Sequence, residues 1–179
     1  MYHMKSSPAL APLVARVERL ESSGIVVALG GSGLLAALGL ADIVRDWDLT
    51  TDAALETVRE ALAGERTAHH GSDELHADQK LVLDDEAIEI IIGFAFHVEG
   101  GVVRIPTVVT GRWQGIPLGS PEGWAVAYEL LGRPRKSETL LAHLAAVGAD
   151  AQSIARLLRE PLPGAIAARL ADLPTSSDA

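Results

Sequence analysis

The segment Val44–Thr50 reads VRDWDLT, with two aspartates, Asp46 and Asp48, placed two apart in a largely apolar, β-compatible run. Side chains on a strand alternate between faces, so both carboxylates point one way and Trp47 the other. Their Cα atoms then lie roughly 6.6 Å apart, from two steps of about 3.3 Å. Two unit charges about 5 Å apart at an effective dielectric near 20 repel by roughly 3 kcal/mol. The pair alone therefore adds no stability to a fold. It does suit a hard cation, because Mg2+ takes one or two carboxylates at about 2.0–2.1 Å together with waters and substrate phosphates.

Just upstream, Gly30-Gly31-Ser32-Gly33 follows the apolar run Gly24–Leu29 and opens a short helical pattern, Gly33–Leu40. Gly31 lets backbone approach a ligand closely. Ser32 is placed to cap a helix starting at Gly33, and a helix N-terminus offers unpaired N–H groups to an anion. An anion cradle next to a divalent-metal pair suggests a nucleoside triphosphate with Mg2+ or Mn2+. Gly31-x-Gly33-x-x-Ala36 also matches the dinucleotide-binding fingerprint, but the helix is short and the acids lie mid-strand instead of singly at a strand end. A phosphate-binding P-loop fails because no Lys-Ser/Thr follows the glycines.

GGS on a strand-to-helix turn followed by Asp-x-Asp on the next strand resembles the DNA polymerase β-like nucleotidyltransferase superfamily. The stretch RDWDLTTDA resembles the metal-binding strand of its small bacterial members, and Pro121–Leu144, PEGWAVAYELLGRPRKSETLLAHL, resembles their C-terminal helical region. The resemblance covers roughly residues 20–145. It implies transfer of a nucleoside monophosphate from a triphosphate to a hydroxyl, with pyrophosphate released. On that pattern Asp46 and Asp48 bind two Mg2+ ions, and Gly31 and Ser32 hold the β/γ-phosphates. The resemblance also implies a third acid on a nearby strand, which ligates metal and helps deprotonate the acceptor, and a basic residue in the helical region that contacts the triphosphate.

Glu89 is the candidate third acid, conspicuous inside the apolar run Ala87–Ile92, although an alternating strand can also turn it to water. Glu in place of the more usual Asp lengthens its reach. Lys136, after Gly-Arg-Pro-Arg, is the candidate basic residue, and a solvated lysine reads the same way. Trp124 and Tyr128, four apart on one helix face, suit a core or a base-stacking surface. His69, His70 and His76 lack zinc-site spacing and read as surface residues or substrate contacts. Asp84 and Asp85 read as turn residues.

At 179 residues the chain is long enough for one domain with a proper core. Its 48% hydrophobic and 22% charged residues are those of a soluble globular protein. No apolar run approaches the roughly 20 residues that span a membrane, and Met1–Ser7 lacks a signal-peptide core. With no cysteine and no such segment, a cytoplasmic setting is expected. The net charge of −9 argues against an extensive nucleic-acid surface.

The remaining pattern predicts a helix over Pro8–Ser22, strands over 24–29 and 44–50, and a helix over Ala53–Ala63 capped by Thr51 or Asp52. A strand at Arg66–His70 precedes a hairpin of Lys80–Leu83 with Ala87–Ile92. Val102–Val109 and Trp113–Leu118, interrupted by Pro106 and Pro117, read as sheet-edge strands. Ser120-Pro121 opens a helix to about Leu131, followed by helices over Glu138–Val147, Ala151–Glu160 and Ala165–Leu173. The fold class is α+β: a mixed β-sheet with helices packed on one face, plus C-terminal helices. Residues 1–119 form the core, 120–173 a helical portion of the same unit, and 174–179 a disordered tail. The expected activity is nucleotidyl transfer to an acceptor that is a small molecule, a protein or an RNA end. The alternative is a nucleotide-binding or protein-interaction module of the same fold, such as a toxin–antitoxin component.

Overall fold

The computed structural model describes residues 7–83 and 87–176. Helix α1 (Leu10–Ser22) buries Leu13, Val17 and Leu20, which recur every three or four residues along one face. The chain then gives β1 (Ala28–Gly30), α2 (Gly31–Ala37), β2 (Trp47–Thr51), α3 (Leu55–Ala61), β3 (Thr67–His70), β4 (Gln79–Leu83) and β5 (Ile88–Ile92). A ribbon of β6 (Ala95–Val98) and β7 (Gly101–Arg104) follows, then β8 (Gly111–Trp113) and β9 (Ile116–Leu118). Helices α4 (Pro121–Leu130), α5 (Pro134–Val147), α6 (Ala151–Leu157) and α7 (Gly164–Ala171) complete the order.

Seven strands form one mixed sheet in the order β3-β4-β5-β2-β1-β9-β8, and β6-β7 stands apart as a two-stranded ribbon. Strand β2 runs antiparallel to β1 and parallel to β5, in a register that sets Asp48 against Glu89. The period-two alternation sorts the side chains. Trp47 and Leu49 of β2, Ile88, Ile90 and Ile92 of β5, and Leu81 and Leu83 of β4 share one cluster with Leu13, Val17 and Leu20 of α1 and Val58 of α3. Ile91 belongs instead to a second cluster with Leu34 and Leu35 of α2, the β6–β7 ribbon and the C-terminal helices. The expected α+β class, with a mixed sheet, helices on one face and further helices at the C-terminus, is the observed one.

Several local expectations change. Of the 24–29 run only Ala28 and Leu29 pair as strand, and the strand extends to Gly30. Ile25 and Val27 are buried, and Val26 between them is 60% exposed. Helix α3 starts two residues later than expected and has no side-chain cap, because both candidate caps are engaged elsewhere. Thr51 Oγ1 donates to the Val26 carbonyl at 2.7 Å, and Asp52 Oδ2 accepts from Thr107 N–H at 3.0 Å. The 102–109 strand is shorter and pairs with β6, off the main sheet. Strand β9 lies between β1 and β8, so of these two C-terminal strands β8 is at a sheet edge and β9 is not. The Lys80–Leu83 and Ala87–Ile92 pairing is antiparallel as expected, but Asp84 and Asp85 lie outside the described residues.

Ser120 caps α4 by accepting from Gly123 N–H at 3.1 Å, with Pro121 at N1. Residues 174–176, expected in a loose tail, bracket Ala149: Pro174 C=O accepts from Ala149 N–H at 2.8 Å, and Ser176 N–H donates to Ala149 C=O at 3.0 Å. Residues 177–179 lie outside the described residues. No helix among the described residues is long and apolar enough to cross a membrane.

Candidate active site

The β1–α2 turn is closely packed. The helix begins at Gly31 with Gly30 as N-cap, two residues earlier than Ser32 capping would place it. Gly31 has φ +56°, in the left-handed region that favours glycine. A Cβ at Gly30 would lie 2.0 Å from the Trp124 ring, so the turn sits against α4. Ser32 is buried and does not cap. Its Oγ accepts from Arg45 N–H at 3.1 Å and donates to the Asp46 carbonyl at 3.4 Å. The hydroxyl thus joins the turn to the segment that carries Asp46, which lies just before β2 begins.

The turn, the start of β2, the middle of β5 and the α4–α5 junction enclose a cavity of about 260 Å³. Asp46, Asp48 and Glu89 all line it, as do Gly31, Ser32 and Lys136, so the structure brings every sequence-predicted site residue to one cleft. Trp47 is 3% exposed on the opposite side of β2, where its Nε1 donates to the Ala9 carbonyl at 3.1 Å. Trp124 and Tyr128 are buried core residues that also form the apolar floor of the cleft with Ile91 and Phe94.

Sequence reasoning missed the cleft's other cations, Arg45, Lys80 and Arg133, whereas His76, read as a surface residue or a substrate contact, also lines the cleft. Lys80 lies on β4 beside Glu89, with Nζ 3.8 Å from the carboxylate. Gly132 at φ +67° turns the chain out of α4, and Arg133 N-caps α5, so Arg133 and Lys136 sit together in the first turn of that helix. The Gly-Arg-Pro-Arg run held the signal for Arg133: a glycine stop and a proline start fix where the intervening arginine must lie.

Charge is the cleft's most informative property. Four Lys or Arg residues and three Asp or Glu residues line it, in a chain whose net charge is −9. Burial, together with repulsion from Asp46 and Glu89, raises the Asp48 carboxyl to about 7. Burial, together with repulsion from Arg133 and Arg45, lowers Lys136 below the usual lysine range. Its ammonium lies 5.3 Å from the centre of the Tyr128 ring.

Two solved structures share this architecture. One, a presumed nucleotidyltransferase from Thermotoga maritima, is 23% identical with a TM-score of 0.53, covering 81% of this chain and 99% of that one. The other is the antibiotic-resistance factor ANT(2'')-Ia, an aminoglycoside nucleotidyltransferase. It is 16% identical with a TM-score of 0.51, covering 83% of this chain and 90% of that one. The chain has a nucleotidyltransferase fold. No protein-family model and no curated protein matches it. Within the nucleotidyltransferase fold of this chain, the acids come from the segment before β2, from β2 and from β5, and the cations from that same segment, from β4 and from the α4–α5 junction.

Proposed function

We propose that the protein transfers a nucleoside monophosphate from a nucleoside triphosphate to a hydroxyl group and releases pyrophosphate. The observation that carries this reading is the double crowding in the buried cleft: burial and repulsion among its acids raise Asp48, and burial and repulsion among its cations lower Lys136. A divalent cation relieves the first and a polyphosphate the second, so a metal-bound triphosphate relieves both.

Asp46 and Asp48 would hold Mg2+ or Mn2+, with Glu89 beside them. Their donor set, all carboxylate oxygen, fits a hard cation. Among the described residues no three His, Cys, Asp or Glu groups form a ready-made metal shell. Two carboxylates completed by phosphate and water are within what Mg2+ accepts. When bound, the metal would neutralise charge on the phosphates and orient them.

Gly31 and Ser32 would meet the β/γ-phosphates from the turn, and Lys136 with Arg133 from α5. Glu89 would receive the proton of the attacking hydroxyl. A cytoplasmic setting, with its triphosphate pool, goes with this reading.

The test is pyrophosphate release with each triphosphate against pooled hydroxyl acceptors, in the wild type and in Asp48→Asn. Release by the wild type that Asp48→Asn abolishes supports the reading. Triphosphate binding without any release would leave a nucleotide-binding module instead.

A further inference from the structure

Glu89 shares the cleft wall with a residue that has no part in the transfer so far, His76. The loop between β3 and β4 brings it there. His76 pairs with Phe96 of β6, and Ala77 N–H donates to the Ala95 carbonyl at 3.0 Å. The His76 ring lies 5.7 Å from that of Phe96, which packs on Phe94 at 5.2 Å, and Phe94 packs on Trp124 at 4.8 Å. A row of rings thus ties His76 to the apolar floor of the cleft. His76, Lys80 and Glu89 line both the cleft and an adjoining cavity of about 250 Å³.

The imidazole is held in one orientation. Its Nδ1 lies 3.1 Å from Oδ1 and 3.0 Å from Oδ2 of Asp73. Asp73 is held as a carboxylate, its carboxyl lowered to about 2 by hydrogen bonds from His76 and Leu75. A carboxylate only accepts, so Nδ1 carries the proton and the lone pair sits on Nε2. Nε2 has no hydrogen-bond partner among the described residues. A second proton on the ring would meet the Asp73 charge. The side chain is 22% exposed, which gives that proton a way out to water. The other titratable groups of the adjoining cavity are His70 of β3, Asp78 just before β4, Lys80 of β4 and Glu89 of β5. Strand β6 meets the ring with the apolar Phe96.

Near neutral pH a carboxylate is a weak base, whereas an imidazole is matched to the task. We infer that His76, oriented by Asp73, is the proton acceptor that serves Glu89 in nucleotidyl transfer. This rests on the nucleotidyl-transfer reading. The acceptor's hydroxyl oxygen bonds to the α-phosphorus as the bond from that phosphorus to the bridging oxygen breaks. Pyrophosphate leaves with the electron pair. The hydroxyl proton passes to Glu89 and from there, in one step or by way of a water, to Nε2 of His76, which returns it to solvent. Glu89 is left ionised for the next turnover.

The experiment measures pyrophosphate release with Mg2+, an equimolar mixture of the four common ribonucleoside triphosphates, and a pool of glycerol, glucose, serine and adenosine as hydroxyl acceptors. In His76→Ala, kcat should fall roughly a hundredfold, as loss of a proton acceptor does, with KM for triphosphate unchanged. Added imidazole should restore much of the lost rate, and pyrazole, of similar shape but a far weaker base, should not. An unchanged kcat, or a fall that imidazole does not relieve better than pyrazole, overturns the role of His76 and leaves nucleotidyl transfer standing. If a thermal melt shows that His76→Ala does not fold, Asp73→Asn carries the test. That variant alters an exposed side chain and keeps an oxygen for the Leu75 and His76 N–H groups. Its kcat should fall with KM for triphosphate unchanged, and an unchanged kcat overturns the proposal. No release by the wild type overturns the transfer reading and the role of His76 with it.

Discussion

Gly31 and Asp48 are fitted to each other: a Cβ added at position 31 would lie 2.0 Å from Asp48 Oδ2. The turn can therefore lie against the acid only because residue 31 has no side chain. Gly31→Ala should lose about 1–2 kcal/mol from its left-handed backbone alone, and more from the collision. In an Asp48→Ala background the collision part should vanish. A double-mutant cycle by urea denaturation checks this, and strictly additive effects would break the link between the two residues.

The raised carboxyl of Asp48 sets a pH dependence of stability in the metal-free protein. Its folded value is about 7 against an ordinary 3.8. Between those limits the native state holds a proton that the unfolded chain has released. Stability should therefore fall as pH rises from about 4 to about 7, by at most about 1.4 kcal/mol per pH unit from this group, and level off above. Asp48→Asn should remove that slope and melt above the wild type at pH 8. Superimposable pH profiles of the two proteins would contradict it.

Ligand should reverse the penalty. Mg2+ with a triphosphate at a hundredfold excess over its dissociation constant should stabilise the wild type by about 2.7 kcal/mol. The shift should be small in Asp46→Asn/Asp48→Asn and reduced in Lys136→Ala. Calorimetric melts read it directly, and equal shifts in all three proteins would show that these side chains do not hold the ligand.

Trp47 anchors the back of the same strand. Truncating this buried side chain, in Trp47→Ala, should cost about 3–5 kcal/mol, as large aromatic deletions in cores do. Unaltered chemical denaturation would mean that β2 does not present its acids to the cleft.

What could be read in advance was what depends on near neighbours. The alternation Asp46-Trp47-Asp48 needs only the two-residue period of a strand, and it sends Trp47 inward as expected. The Ser120-Pro121 start of α4 is equally local. Glu89 could be suspected but not placed, since its position depends on β5 pairing in parallel with β2 at one register. Lys80 and His76 reach the cleft through β4 and the loop before it, by pairings that no short window of sequence records. Ser32 was misread as a cap because its actual partner, the Arg45 N–H, lies 13 residues further along. The helix caps Thr51 and Asp52 failed for the same reason, each engaged by a distant segment.

The two halves of the cleft come from distant parts of the chain. Its acids are in place once β2, β4 and β5 have paired, whereas Arg133 and Lys136 arrive only with α5. Between them, the sheet closes through the parallel contact of Leu29 with Leu118, across a long loop. Such closures are entropically costly and slow relative to local pairings. On the ribosome, a chain emerging N-terminus first presents its three acids, with Arg45 and Lys80, before Arg133 and Lys136 are made. The proposed triphosphate site is thus complete only once the chain has folded through α5.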